Sequence, residues 1–343
     1  MAYSKVLVGT DGSETAKIAE RAAITVASVS KGQVLVLSAH TTPEEERKAG
    51  KVVDQASNEA ERRGVLAERL TAQGEPADLI VELADRLDAD LVVVGDVGMG
   101  GVKRFRLGGV ADRVSHNMPC DLLIVRTSRA KPEDVPATYE SVLIATDGSP
   151  TADHAARQGT DFAVSMGAGV TLVHVGDEVL GRIVLTDTAE RLGDADLPVV
   201  AVKGEPGDRI VEVAEEGKHD LVVIGNKGMA GALRFAMGTV PNKVSHNAPC
   251  DVLIVNTVGR SVADLAPGEG ALVVIDGKKV AAFKTESGEL ITLSPKCKHL
   301  GCTVGWNNNN KTWDCPCHGS RYASDGKVIR GPAQRDLDRI EAS

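Results

Sequence analysis

The chain has 343 residues, 42% of them hydrophobic and 25% charged, which suits two or three folded domains and excludes a disordered polymer. Its net charge of −9 is uneven, with 10 basic against 19 acidic side chains over residues 131–257, and no segment is basic enough to form the electrostatic footprint of a nucleic-acid binder. No apolar run approaches the roughly 20 residues of a membrane helix, and the opening run is too short for a secretory leader, so the expectation is a cytoplasmic protein with no nucleic-acid or membrane partner.

In chain order, KVLVGT (5–10), QVLVLSA (33–39), LVVVGD (91–96) and DLLIVRT (121–127) are continuous apolar runs without alternation. Strands covered on both faces of a parallel sheet read this way. Between them ETAKIAERAAITVAS (14–28) and DLIVELADRLD (78–88) have helical periodicity, which gives a βαβ rhythm. The pattern then repeats. VLVGTDGSETA (6–16) returns as VLIATDGSPTA (142–152), QGEPADLIVELA (73–84) as KGEPGDRIVEVA (203–214), and VSHNMPCDLLIV (114–125) as VSHNAPCDVLIV (244–255). Two α/β domains with parallel sheets are expected at 1–127 and 138–257, joined and followed by polar, Pro- and Gly-bearing linkers at 126–138 and 256–270. Asp11 and Asp147 each open an Asp-Gly-Ser before a helix. Helix capping and contact with a ligand both account for that placement.

After the second linker the pattern changes. ALVVIDGKKVAAFKT (271–285) reads as a hairpin around Asp276-Gly277, and ELITLS (289–294) as a further strand. No helix of ordinary length fits between 270 and 333, so a small β-rich domain is expected at 268–341. It carries Cys297-x-His299 and Cys315-x2-His318. Two thiolates and two imidazoles suit a tetrahedral zinc ion. Zinc ligands, however, commonly come as C-x2–4-C and H-x3–5-H pairs, and ligands interleaved Cys-His, Cys-His suit two metals, one taking both sulfurs and the other both nitrogens.

CKHLGC (297–302) and CPCHGS (315–320) resemble the two ligand loops of the Rieske family, of the disulfide-containing, cytochrome bc-like type. The resemblance implies an all-β domain with a [2Fe–2S] cluster held by Cys297, His299, Cys315 and His318, and a disulfide between Cys302 and Cys317. It also implies hydroxyl donors to the cluster from Ser320 and Tyr322, and a shielding loop at Gly331-Pro332-Ala333. Lys298 departs from the small hydroxyl residue usual at its position.

Gly225-x2-Gly228, nine residues, then Gly238-Thr239 resembles the phosphate loop of nucleotide-binding universal stress proteins, and the match extends to Asp147 and to His174-Val175. Glycines let backbone N–H groups approach phosphate oxygens. The resemblance implies Rossmann-like domains, an adenine nucleotide such as ATP near Asp147 and the Val175 backbone, and packing of the two repeats as an intramolecular pseudo-dimer. The first repeat offers Asp11 and Gly95-x2-Gly98-x9-Gly108, but Gly109 replaces the hydroxyl residue. His116 and His246 recur without an acid or nucleophile pattern and read as structural or surface residues; Cys120 and Cys250 read as small buried ones. There is no nucleophile–base–orienter set and no room for a mononuclear-iron oxygenase domain. The expected function is one-electron transfer with an unidentified donor or acceptor protein, rather than a complete enzyme. The alternative is a nucleotide-binding stress sensor whose cluster reports redox state.

Overall fold

The computed structural model describes residues 3–97, 107–127, 138–226, 237–257, 262, 265, 267–275, 278–307, 310–315 and 318–340. The chain divides into two compact units, Met1–Asn256 and Thr257–Ser343.

The first unit contains both repeats. The first runs β1 (Lys5–Gly9), α1 (Glu14–Ser30), β2 (Gln33–His40), α2 (Pro43–Arg62), β3 (Leu66–Gln73), α3 (Pro76–Arg86), β4 (Leu91–Gly95), α4 (Gly109–Asn117), β5 (Asp121–Val125). The second runs β6 (Ser141–Ala145), α5 (Pro150–Met166), β7 (Gly169–Val175), α6 (Glu178–Leu192), β8 (Val199–Val202), α7 (Pro206–Glu216), β9 (Leu221–Gly225), α8 (Thr239–Asn247), β10 (Asp251–Val255). All these strands form one sheet, in the order β3-β2-β1-β4-β5-β10-β9-β6-β7-β8. Pairing is parallel within each repeat and antiparallel where the repeats meet, with Ile124 opposite Val252, Leu123 opposite Leu253 and Leu122 opposite Ile254. These six side chains are all at most 3% exposed. Burying each contributes roughly 1.5–3 kcal/mol.

Polar groups lock the same seam. The buried Arg126 donates to the carbonyls of Ser245 (2.7 Å) and Cys250 (3.2 Å) in the other repeat, and its backbone N–H donates to Asp251 Oδ1. On the opposite side the Asn256 backbone N–H donates to Asp121 Oδ1. Tyr139 and Tyr3 hydroxyls donate to the second oxygens of Asp251 and Asp121.

Each repeat adds a helix and an edge strand outside the apolar runs named above. Half of the residues of helix α2 are charged, and it starts on a Thr42–Glu45 capping box. Strand β3, LAERLTAQ, lies at the sheet edge with no fully buried residue, so the continuous apolar signature of a covered strand is missing. Helix α6 and edge strand β8 are their counterparts. No helix among the described residues is long and apolar enough to cross a membrane.

The second unit is antiparallel. Strands β11 (Glu269–Ile275), β12 (Lys278–Lys284) and β13 (Leu290–Leu293) form one sheet, with Ile275 opposite Lys278 as a two-residue hairpin requires. The turn residues Asp276 and Gly277 themselves lie outside the described residues. Strands β14 (Gly305–Asn307), β15 (Thr312–Asp314), β16 (Arg321–Ala323) and β17 (Val328–Arg330) form the other. The core joins Leu293, Trp306, Trp313, Tyr322 and Leu337 to Cys297 and Cys315. The two tryptophans stack edge-on with centroids 5.0 Å apart, as core residues do. Gly270 is required beside them, since a Cβ there would lie 2.5 Å from the Trp306 ring.

Candidate metal centre and nucleotide face

Two loops of the same local design meet at one end of the second unit. In the first, the Cys297 N–H donates to the Cys302 carbonyl (2.8 Å) and the Gly301 N–H to the Cys297 carbonyl (2.9 Å). In the second, the Cys315 N–H donates to the Ser320 carbonyl (2.7 Å) and the Gly319 N–H to the Cys315 carbonyl (3.1 Å). Gly301 and Gly319 occupy the left-handed region, at φ 78° and 74°, where a side chain would be strained. Each loop thus turns back on its own cysteine and presents a histidine at its tip.

The donors segregate into two pairs. Cys297 and Cys315 are each 3% exposed and belong to one core cluster. His299 and His318 are exposed, with ring centroids 4.8 Å apart. Among the described residues no three His, Cys, Asp or Glu side chains converge on one ion position.

The Tyr322 hydroxyl, fully buried, accepts from the Lys298 backbone N–H (3.0 Å). Its oxygen lies 3.1 Å from Cys297 Sγ, and toward a thiolate, which has no proton to give, the phenol is the donor. Burial pushes the Cys297 thiol up, but hydrogen bonds from Tyr322, the His299 backbone, Ser320 and Cys315 outweigh it and hold the thiol below its ordinary value. Burial, then the bond to Cys297, raises the Tyr322 phenol, which keeps it a donor. Ser320, also fully buried, accepts from the Ala333 N–H (3.0 Å), which fixes residues 331–333 against the second loop. Two features of this site carry no sequence signal: Asp314 clamps the stem of the second loop through two bonds from Arg321 (2.8 and 3.1 Å), and Lys298 pairs with Asp338. Cys302 is half-buried in the first loop; Cys317 lies outside the described residues.

Asp147 follows β6, Val175 ends β7, Gly225 ends β9, and Gly238 caps α8, whose first residue is Thr239. Strands β9 and β6 are neighbours in the sheet, and the chain order reverses between them. That is the topological switch point of an open α/β sheet, outside whose strand C-termini ligands bind. Asp11, Gly95 and Gly108 take the equivalent places after β1, at the end of β4 and at the cap of α4. Gly98 and Gly228 lie outside the described residues. The Gly238 N–H donates to the Asn226 carbonyl and the Gly108 N–H to the Asp96 carbonyl, so neither cap is slack. The repeated Thr-Asp-Gly-Ser builds one turn twice: Ser13 and Ser149 accept from the Ala16 and Ala152 N–H groups, while Asp11 and Asp147 accept from the Ser13 and Ser149 N–H groups. Helix capping is therefore part of what these residues do.

The universal stress protein family model matches residues 2–126, 138–182 and 177–256. The chain belongs to the universal stress protein family. Its C-terminal unit is a Rieske [2Fe-2S] domain, matched over residues 257–341. A universal stress protein from Archaeoglobus fulgidus has the fold of the tandem unit, with a TM-score of 0.62 at 20% identity over 75% of this chain and all of that one. In the Rieske domain, the cytochrome b6-f complex iron–sulfur subunit of a Synechococcus strain is 43% identical over 84 residues, 24% of this chain and 44% of that protein. The iron–sulfur subunit of a menaquinol:cytochrome c reductase from Geobacillus thermodenitrificans is 51% identical over 63 residues, 17% of this chain and 37% of that protein. The chain thus spans less than half the length of either subunit. A Rieske domain implies a [2Fe–2S] cluster, and the paired thiols and paired imidazoles are the donors that such a cluster takes.

Proposed function

We infer that this tandem universal stress protein is a one-electron carrier, with Cys297 and Cys315 holding one iron of the cluster and His299 and His318 the other. The observation that carries the reading is the Tyr322 hydroxyl held between the Lys298 N–H and Cys297 Sγ. A phenol so placed donates to a thiolate, and a thiolate is what iron binds. The bound group supplies reversible one-electron chemistry. The protein's own residues keep both sulfurs dry, orient them with hydroxyl donors from Tyr322 and Ser320, and leave both imidazole tips exposed for a donor or acceptor protein. A bridge between Cys302 and Cys317 would tie the two loops together.

The adenine-nucleotide site belongs to the second repeat, at Asp147, Val175, Gly225, Gly228, Gly238 and Thr239, with a weaker counterpart in the first. Among the described residues, Asp147 follows β6, Val175 ends β7, Gly225 ends β9 and Gly238 caps α8, at or next to the switch point between β6 and β9, which supports it. The second reading is a redox sensor whose nucleotide affinity follows cluster oxidation. Iron, labile sulfide and nucleotide are weighed together by native mass spectrometry of anaerobically purified protein. Two irons and two sulfides are expected; one zinc and no sulfide would end the electron-transfer reading. A nucleotide affinity that differs between oxidised and reduced protein would favour the sensor.

A further inference from the structure

Lys298 sits between two residues assigned as ligands and is engaged at both ends. Its backbone N–H donates to Tyr322, and its ammonium pairs with the carboxylate of Asp338, 40 residues on. Asp338 is carried by a fixed segment. The Ser294 N–H donates to the Asp338 carbonyl (2.7 Å), Arg339 forms a bridge with Leu293, and the Ile340 N–H donates to Thr292 (3.0 Å). The preceding Leu337 is 4% exposed and donates its N–H to Gly326. An anion on a pinned segment therefore faces a cation on the first ligand loop.

The pair is not a stability device of any size. The side chains are 28% and 66% exposed, and ion pairs in that setting contribute at most about 1 kcal/mol. Its electrostatic meaning is different, because the site gains one negative charge on reduction. A cation tethered one residue from both Cys297 and His299 favours that charge, and an anion paired to it opposes it. Intact, the two nearly cancel.

We propose that Lys298 and Asp338 act on the reduction potential of the cluster in opposite and nearly balanced senses, Lys298 raising it and Asp338 holding that rise in check. This rests on the cluster reading above. Three substitutions follow, none of which touches the backbone N–H to Tyr322. Asp338→Asn leaves the cation uncompensated and raises the potential. Lys298→Met leaves the anion and lowers it. The double variant returns close to wild type. Each single change should alter the reduced-to-oxidised ratio at a fixed poise by about threefold to tenfold, tenfold being 59 mV for one electron. The shift should shrink in high salt, since both groups touch solvent.

A merely structural tie predicts something else: both single variants break the same contact, so both would loosen the loop and move the potential in one direction. The test uses the full-length protein purified anaerobically, with iron and labile sulfide content and the electron paramagnetic resonance spectrum as controls for cluster loading, and protein-film voltammetry as readout. Lys298→Arg keeps the cation and should keep the wild-type potential. Opposite shifts in Asp338→Asn and Lys298→Met would support the proposal; shifts of the same sign, or none, in variants with normal spectra would overturn it. Wild-type protein without labile sulfide would instead overturn the cluster reading, and this inference with it.

Discussion

Replacing Tyr322 by Phe removes one hydroxyl from a fully buried position and leaves the ring in its core against Trp313, across the β15–β16 pair. Two bonds go at once: the donation to Cys297 Sγ at 3.1 Å and the acceptance from the Lys298 N–H at 3.0 Å. A bond to a charged sulfur has a net worth of about 1.5–3 kcal/mol, equivalent to about 65–130 mV for one electron if it were made in the reduced state alone. It is made in both states and strengthened by the added charge, so half of that ceiling, about 30–65 mV, is the expected fall. Protein-film voltammetry of the two proteins gives the number, with the electron paramagnetic resonance spectrum confirming equal loading. A potential that stays put or rises in fully loaded Tyr322→Phe would refute the assignment of this hydroxyl as a donor to cluster-bound sulfur.

Three further outcomes are expected. Cys302→Ser or Cys317→Ser should speed loss of the visible cluster absorbance on dilution in air several-fold, and rapid alkylation of both thiols in intact wild-type protein would show that no bridge joins them. In calorimetric titration with ATP, Gly238→Val should weaken binding at least tenfold and Gly108→Val far less, because Thr239 has no hydroxyl counterpart at Gly109. A Cβ at residue 238 meets nothing closer than 3.4 Å, so the folded content of Gly238→Val is checked by circular dichroism beside the titration, and two equal sites in wild type would contradict the asymmetry. Asp251 is pushed up to about 6, mainly by burial, despite bonds from Arg126 and Tyr139 that favour its charged form. Between the ordinary carboxylate value of about 4 and pH 6 the folded state then binds more protons than the unfolded one, so the Asp251 contribution to stability falls as pH rises through that window. Urea unfolding of wild type and Asp251→Asn at pH 4.5 and 7 should show the slope in the first and its loss in the second.

The parts legible in the sequence are those whose chemistry is local. Apart from a polar first residue in β1, β5, β6 and β10, strands β1, β4, β5, β6, β9 and β10 are apolar because helices cover both faces, and the duplication makes them recur. The ligand loops are legible because a cysteine, a histidine and a left-handed glycine fall within five residues of one another in each, from Cys297 to Gly301 and from Cys315 to Gly319. What stayed hidden depends on distance along the chain. Edge strand β3 carries polar residues along its length, β8 is a short apolar piece of four residues, and in α2 Val52 and Val53 are the buried apolar side chains larger than alanine. Asp338 lies 40 residues from Lys298, and Arg126 lies 119 and 124 residues from the carbonyls it reaches. Patterns within a window of a dozen residues hold no trace of such pairs.

The antiparallel seam between β5 and β10 also changes what substitution can do. In a symmetric homodimer every replacement appears twice, at positions related by the two-fold axis, so a useful change on one side must be tolerated on the other. Here a single covalent chain supplies both sides. Arg126 corresponds to Asn256, Asp96 to Asn226, and Gly109 to Thr239, three equivalent places where the halves have taken different chemistry. Fusion has released this chain from the obligation to match itself, so that either half can carry a substitution its counterpart lacks.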